Sequence, residues 1–317
     1  MAGQPQSPLE ARRFIFVTGK GGVGKTTVCA ALALALAARN KRVLVAMCGA
    51  HERLSAILGT PPIGHDIQAI ADHVWASKIQ PERALEEYGR LVIKVKTITR
   101  AVFGNQTTRG FFRAMPGLYE WAMLGKAWWH ATEVLDDGSP RFDTVLFDAP
   151  STGHGLDMLR VPKVILDIVP PGVLRRDAER AWEMFRDPER CGVVVVSLPE
   201  EMAATETIEL VSALQTELEL PIQRLIINGV LSPKFSESER AALLADHELL
   251  DIARLGLATD AGERTLAYAA RRAAREHRHL QSVERLRREL DLETVVLPYL
   301  HDGAGSPEGA QQLAGRL

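Results

Sequence analysis

Cysteine, excess charge and long apolar runs are all scarce in this 317-residue sequence. Its three cysteines, Cys29, Cys48 and Cys191, are too few and too scattered for a disulfide framework and form no C-x-x-C pair. A net charge of −2 argues against a nucleic-acid surface. The longest apolar run, Val28 to Ala38, has about half of the ~20 residues that a membrane-spanning helix needs. Met1 to Glu10 is polar, without the apolar segment of a signal peptide. We therefore expect a soluble, cytoplasmic protein with no integral membrane segment.

Apolar residues, by contrast, make up 46% of the chain, enough to bury a substantial core. Strand-like apolar runs alternate with helical stretches, which is typical of a doubly wound, mostly parallel α/β sheet with helices on both faces. We predict one domain over residues 12–317 after a flexible tail at 1–11. The predicted strands are Phe14–Val17, Arg42–Met47, Leu91–Val95, Phe142–Phe147, Val193–Val196, Arg224–Asn228 and Glu293–Pro298.

Between residues 97 and 135 the pattern changes, and aromatic residues crowd into a helical region. We predict a small inserted helical subdomain here, ended by the turn at Asp136–Pro140. Its aromatic residues either pack a core of their own or form a surface for a client or partner protein. They are Phe103, Phe111, Phe112, Trp121, Trp128 and Trp129.

The first predicted strand leads into a glycine-rich turn that reads GKGGVGKTT and is followed by an alanine- and leucine-rich helix. The spacing G-x-x-x-x-G-K-T, between a strand and a helix, is that of a P-loop, whose backbone N–H groups surround a phosphate chain. Lys25 would neutralise the outer phosphates, and the hydroxyl of Thr26 would bind Mg²⁺. The predicted nucleotide-binding residues of the loop are Gly19, Gly21, Gly22, Val23, Gly24, Lys25, Thr26 and Thr27.

Lys20 adds a second cation to this loop. Two lysines in so short a turn repel one another unless an anion is bound. Lys20 is therefore predicted to face nucleotide phosphates, either those of its own chain or those of a second subunit.

A second nucleotide signal is the apolar strand that ends in Asp148. A carboxylate at this place can hold Mg²⁺ through a water, together with Thr26. The glycine-punctuated loop that follows, Ala149–Gly155, is a candidate switch that senses the γ-phosphate and moves the next helix. Its predicted switch residues are Thr152, Gly153 and His154.

The loop GKGGVGKTT resembles the "deviant" Walker A P-loop of the class that includes MinD, ParA and the arsenite-pump ATPases, in which the extra lysine reaches the partner's nucleotide. The stretch FDAPSTGHGLDMLRVP resembles switch II of one family in that class, the ArsA and tail-anchored-protein-targeting (guided-entry) ATPases. Four further stretches follow in that family's order, so the resemblance covers most of the chain. They read MPGLYE, SLPEEMAATET, LIINGV and VVLPYL.

The resemblance implies a P-loop NTPase that binds ATP or ADP with Mg²⁺, hydrolyses ATP and couples nucleotide state to the binding of a client protein. It implies a homodimer or a paralogous heterodimer around the nucleotide, with Lys20 and Lys25 as catalytic residues. It also implies that Asn228 recognises adenine and that Pro298 and Tyr299 lie beside the base.

Three departures from the family limit these expectations. The family's switch I reads D-P-A-H, whereas this chain has Cys48 in place of the water-positioning aspartate, followed by His51 and Glu52. Unless His51 or Glu52 replaces that aspartate, hydrolysis loses roughly 10²–10⁴-fold in rate. The chain lacks the family's metal-binding cysteines, so we expect no zinc and no arsenite site. The helical region lacks a methionine-rich stretch, which argues against a tail-anchored client.

Two other functions fit parts of the sequence. The chain could be a non-hydrolysing, nucleotide-binding regulatory or chaperone subunit of a heterodimeric ATPase. It could also be a positioning ATPase of the MinD or ParA kind. Against membrane docking of the MinD kind, Ser306–Leu317 has one arginine and few large apolar residues.

Overall fold

The computed structural model describes residues 9–48, 52–92, 117–150, 154–256, 260–301 and 303–317. In these residues eight strands form one sheet, in the order β3-β4-β2-β5-β1-β6-β7-β8. Neighbouring strands run parallel except β3, which is antiparallel to β4. The strands are β1 (Phe14–Gly19), β2 (Val43–Met47), β3 (Gln68–Ala71), β4 (Val74–Lys78), β5 (Thr144–Asp148), β6 (Cys191–Ser197), β7 (Ile222–Val230) and β8 (Thr294–Pro298).

Helices cover both faces of this sheet, after a short 3₁₀ turn at Leu9–Ala11 whose Leu9 is buried. They are α1 (Lys25–Ala37), α2 (Leu54–Leu58), α3 (Pro81–Val92), α4 (Leu118–Thr132), α5 (His154–Ile168), α6 (Val173–Arg186), α7 (Glu201–Thr216), α8 (Glu237–Ala245), α9 (His247–Leu255), α10 (Ala261–Glu289) and α11 (Pro307–Ala314). The doubly wound α/β fold predicted from the sequence is confirmed. Within the described residues no helix is long and apolar enough to cross a membrane.

Strand β1 is the centre of the fold because its alternate side chains enter the two cores on either face. Phe14 and Phe16 pack with Phe147 and Phe185, with ring centroids 4.7–5.9 Å apart across these contacts. Ile15 enters the opposite core, with α1 and α11. Because α11 covers the outer side of α1, that helix can be apolar almost all round. Within the sheet, β1 lies between β5 and β6 and pairs with both.

The strand predicted at Leu91–Val95 is wrong. Leu91 and Val92 are the last residues of helix α3, and residues 93–95 lie outside the described residues. Apolar positions at helical spacing, Ala84, Leu85 and Tyr88, pack this helix into the core, so the helical period prevails over a short run that reads as a strand. The sheet is instead extended by the hairpin β3–β4, which the sequence analysis missed.

The charged stretch from Ser236 to Leu290 forms three helices in its described parts. Asp246 caps the start of α9 by accepting a hydrogen bond from the Leu249 N–H at 2.9 Å. Gly256, with φ of 71°, ends that helix in the left-handed conformation. These two residues, whose local chemistry favours helix ends, explain why one long helix does not form.

The aromatic residues of the 97–135 region have mixed environments. Trp121 is fully buried in the same core as Phe14, whereas Trp128 is half-buried and Trp129 is 49% exposed. Phe103, Phe111 and Phe112 lie outside the described residues. The existence of a separate subdomain over 97–135 therefore stays a prediction.

Candidate functional site

The loop between β1 and α1 depends on two glycines that no other residue could replace without displacing its neighbours. At Gly19, where φ is 148°, a Cβ atom would lie 2.2 Å from the carbonyl oxygen of Val196. At Gly24, where φ is 92°, it would lie 2.4 Å from the Asn228 amide nitrogen. Because Gly19 is held against β6 and Gly24 against β7, the fold itself fixes the shape of the loop.

Lys25, the first residue of α1, folds back across this loop. Its Nζ donates to the carbonyl oxygens of Gly19 (3.0 Å) and Lys20 (2.9 Å). Burial lowers the pKa of Lys25, and the nearby Asp148 carboxylate opposes that shift. An anionic ligand could replace either carbonyl as acceptor, so the ammonium group is already placed at the mouth of the loop.

Thr26 and Asp148 meet beside the loop because β5 lies next to β1 in the sheet. The Thr26 hydroxyl donates to Asp148 Oδ2 at 2.7 Å. Asp148 is only 6% exposed, and burial raises the pKa of its carboxyl group, against the opposing effects of the Thr26 hydrogen bond, Lys25 and Cys29. A hydroxyl and a buried carboxylate are oxygen donors of the kind that Mg²⁺ prefers, so these two residues fit the predicted metal site.

The predicted base-binding residues come together at the same edge of the sheet. The Asn228 side-chain amide donates to the Val23 carbonyl oxygen at 2.9 Å, which ties β7 to the loop. Val230 pairs with Pro298, and the Tyr299 N–H donates to the Val230 carbonyl oxygen at 2.8 Å. The backbone of Tyr299 is therefore bonded two strand positions beyond Asn228, and Tyr299 is 43% exposed. A role in binding adenine stays a prediction for Asn228, Pro298 and Tyr299.

Cys48, the residue predicted to replace the switch I aspartate, lies directly after β2. Its N–H donates to the backbone oxygen of Asp148 at 3.3 Å. Burial raises the pKa of the Cys48 thiol well above its usual range, and the carboxylate of Asp148 raises it further. A neutral thiol is a weak hydrogen-bonding group, so Cys48 is poorly suited to orient a water molecule.

Of the two residues predicted to replace that aspartate, Glu52 lies within the described residues, and it is hydrogen-bonded to Ser55. Its carboxylate accepts hydrogen bonds from the N–H of Ser55 at 2.8 Å and from the Ser55 hydroxyl, at the start of α2. The other switch candidates His51, Thr152 and Gly153 lie outside the described residues, and His154 is the first residue of α5. The roles predicted for all four switch positions stay predictions.

Lys20 is bound in a way that sequence reasoning missed. Its Nζ forms an ion pair with Glu206 of α7, and the two side chains are 32% and 35% exposed. Glu206 lies in the stretch SLPEEMAATET, to which the sequence alone assigns no binding role. The pairing of Gly19 with Val196 was the missing information, since it places the helix after β6 beside the loop after β1.

A separate cavity of about 830 Å³ lies between α3, α4 and α6. Tyr88, Trp121, Trp128 and Trp129 contribute to its wall, together with charged residues that include Lys126 and Arg180. Helix α5 packs against both α4 and α6. The helix that follows the predicted switch loop therefore contacts two walls of this cavity.

The sequence is similar to those of known ATPases. A family model described as anion-transporting ATPase, ArsA type, matches residues 12–170 and 174–249. The chain is 29% identical over 259 residues to ATPase BagA of Mycobacterium tuberculosis, covering 80% of this chain and 75% of that protein. It is 30% identical over 277 residues to an arsenical pump-driving ATPase of Escherichia coli, covering 78% of this chain but 45% of that protein. It is 25% identical over 262 residues to ATPase GET3 of Kluyveromyces lactis, covering 72% of this chain and 74% of that protein.

Proposed function

Because this chain belongs to the ArsA family of ATPases, we propose that it is a Mg²⁺-dependent ATP switch that assembles with a second copy of itself around bound nucleotide. The observation that carries the proposal is the convergence of Lys25, Thr26 and Asp148 on one glycine-shaped loop, through contacts of 2.7–3.0 Å. Each of these groups has the chemistry that a phosphate or its cation needs.

Different groups at the loop bind different parts of the nucleotide and its metal ion. Backbone N–H groups from Gly21 to Gly24 and the start of α1 surround the phosphates, and Lys25 exchanges its carbonyl acceptors for phosphate oxygens. Thr26 and Asp148 would hold Mg²⁺, Asp148 through a water molecule, and a cation held there would supply positive charge against the phosphates. The side-chain oxygen of Asn228, Oδ1, makes no hydrogen bond with the described residues. It accepts a hydrogen bond from the adenine amino group.

The switch proposal rests on how α5 is connected. Helix α5 begins six residues after Asp148, and Val161 on it packs against the position of Gly117, where an added Cβ would lie 3.4 Å away. A change in the 149–155 loop on binding or losing the γ-phosphate would move α5 and with it α4 and α6. We place the client or partner protein at the 830 Å³ cavity between α3, α4 and α6.

A second candidate is a nucleotide-binding subunit that does not hydrolyse ATP. The neutral thiol of Cys48 and the engagement of Glu52 with Ser55 favour it, because neither residue is free to orient water. Turnover of the purified chain, measured with and without Mg²⁺, separates the two candidates.

Asp148→Asn tests the metal site through stability as well as activity. Burial raises the pKa of Asp148, so the ionised carboxylate at neutral pH weakens the fold of the metal-free protein. Asparagine keeps an acceptor for Thr26 without the charge. We expect the variant to melt at a higher temperature than wild type at pH 7 without Mg²⁺, by an amount that shrinks as the pH falls through the raised pKa of Asp148 toward its ordinary value. Melting curves over a pH series measure this.

The same variant should lose Mg²⁺-dependent stabilisation by ATP and Mg²⁺-dependent turnover. Asp143→Asn is the matched control, because Asp143 precedes β5 and pairs with Arg42 at the other end of that strand. Retention of both Mg²⁺ effects in Asp148→Asn would remove Asp148 from the metal site.

A further inference from the structure

The ion pair between Lys20 and Glu206 lies within one chain, whereas the proposed dimer needs Lys20 at the nucleotide of the other chain. The single ammonium group of Lys20 cannot pair fully with both the Glu206 carboxylate and the partner's phosphates. We propose that Glu206 is a positioning residue that holds Lys20 in the free protomer, so that dimer assembly is an exchange of Lys20 from its own Glu206 to the partner's phosphates. This inference rests on the proposed function.

The helical turn that carries Glu206 is held in place by the contacts of the two residues beside it. On one side of it in sequence, the Thr207 hydroxyl is buried and hydrogen-bonds to Ser197 Oγ at 2.8 Å, at the end of β6. On the other side, Thr205 Oγ1 accepts a hydrogen bond from Arg285 of α10 at 3.0 Å. Contacts to the sheet and to α10 thus fix the second turn of α7, and with it the backbone position from which Glu206 reaches Lys20.

The loop end of the pair is fixed as well. The backbone oxygen of Lys20 accepts a hydrogen bond from Lys25 at 2.9 Å, so the loop conformation that presents Lys20 to Glu206 is stabilised by the residue proposed to bind phosphate. When Lys25 turns to a bound phosphate chain it releases this oxygen. Nucleotide binding in one chain therefore loosens the Lys20 loop of that same chain, which prepares the lysine for transfer.

The exchange is energetically accessible because both partners are about one-third exposed. A pair of this exposure contributes little to stability, and breaking it twice per dimer weakens association by roughly two- to thirtyfold. Glu206 is thus expected to raise the protein concentration at which dimers form without preventing assembly. The contact delays closure until a full phosphate chain is present to compete for Lys20.

Glu206→Gln is the direct test, with Glu209→Gln as the matched control on the exposed side of the same helix. Sedimentation velocity with Mg²⁺ and the non-hydrolysable analogue AMPPNP measures the dimer midpoint over a concentration series. We expect Glu206→Gln to dimerise at roughly two- to thirtyfold lower protein concentration than wild type, and Glu206→Asp and Glu209→Gln to stay near wild type. Melting temperatures check that each variant is folded.

Lys20→Ala separates failure of this inference from failure of the proposed function. If Lys20 acts across the interface, Lys20→Ala dimerises poorly, and adding Glu206→Gln to it changes nothing further. If Lys20→Ala dimerises as wild type does, the cross-subunit role of Lys20 is wrong. If Lys20→Ala fails but Glu206→Gln leaves the midpoint unchanged or raises it, only the positioning role of Glu206 is overturned; a raised midpoint would mean that Glu206 itself binds across the interface.

Discussion

Replacing Lys25 by alanine is expected to lower ATP turnover by roughly 10²–10³-fold, the usual effect of removing one fixed charge-stabilising donor from a phosphoryl-transfer site. The structure explains the size of this effect. Lys25 Nζ is held at the mouth of the loop by the carbonyl oxygens of Gly19 and Lys20, so its charge is in place before ATP binds. Water that fills the space after truncation carries no charge and cannot replace it.

Steady-state turnover measures the loss of catalysis, and titration with a fluorescent ATP analogue measures the loss of nucleotide binding. Lys25→Met is the second variant. Because methionine fills the space of the buried lysine side chain, a loss of turnover in this variant is not due to a cavity that unfolds the protein. Lys234→Ala is the control, since Lys234 is an exposed lysine beyond β7. If Lys25→Met turned over ATP at the wild-type rate, the loop would not be the catalytic phosphate site.

Replacing Cys48 by aspartate is expected to raise turnover by roughly 10²-fold or more, within the range of general-base contributions. The position is suitable because Cys48 follows β2, whose last residue Met47 pairs with Asp148. A carboxylate here would lie near the metal ligand and could orient the attacking water. Because Asp148 is already a buried carboxylate with a raised pKa, a second one is tolerated only when Mg²⁺ is bound.

Two measurements distinguish this prediction from a packing effect. Cys48→Asn matches the shape of aspartate without its charge and is expected to leave turnover near wild type. In the absence of Mg²⁺, Cys48→Asp should melt at a lower temperature than Cys48→Asn. If wild type already hydrolyses ATP rapidly and Cys48→Asp changes nothing, another group orients the water and the explanation based on Cys48 is wrong.

The features that the sequence predicted correctly depend on short stretches of chain. The strand Phe14–Gly19 and its glycine-rich turn are local signals, and so is the apolar strand ending at Asp148. The meeting of Thr26 with Asp148 follows from the pairing of the parallel strands β1 and β5.

The features that were missed depend on contacts between distant parts of the chain. The run Leu91–Val95 is too short for its periodicity to distinguish a strand from a helix. The packing of α3 against α4 stabilises the helical conformation of its first two residues. The ion pair of Lys20 with Glu206 joins residues 186 positions apart, and no local pattern reports it. The hydrogen bond between Glu52 and Ser55 was also not evident from the sequence.

Sedimentation velocity of the purified chain, with Mg²⁺ and ATP, with Mg²⁺ and ADP, or without nucleotide, tests the central claim most directly. We expect a protomer without nucleotide and a dimer with ATP, which separates again as ATP is consumed or replaced by ADP. A mass that stays the same in all three conditions would contradict it.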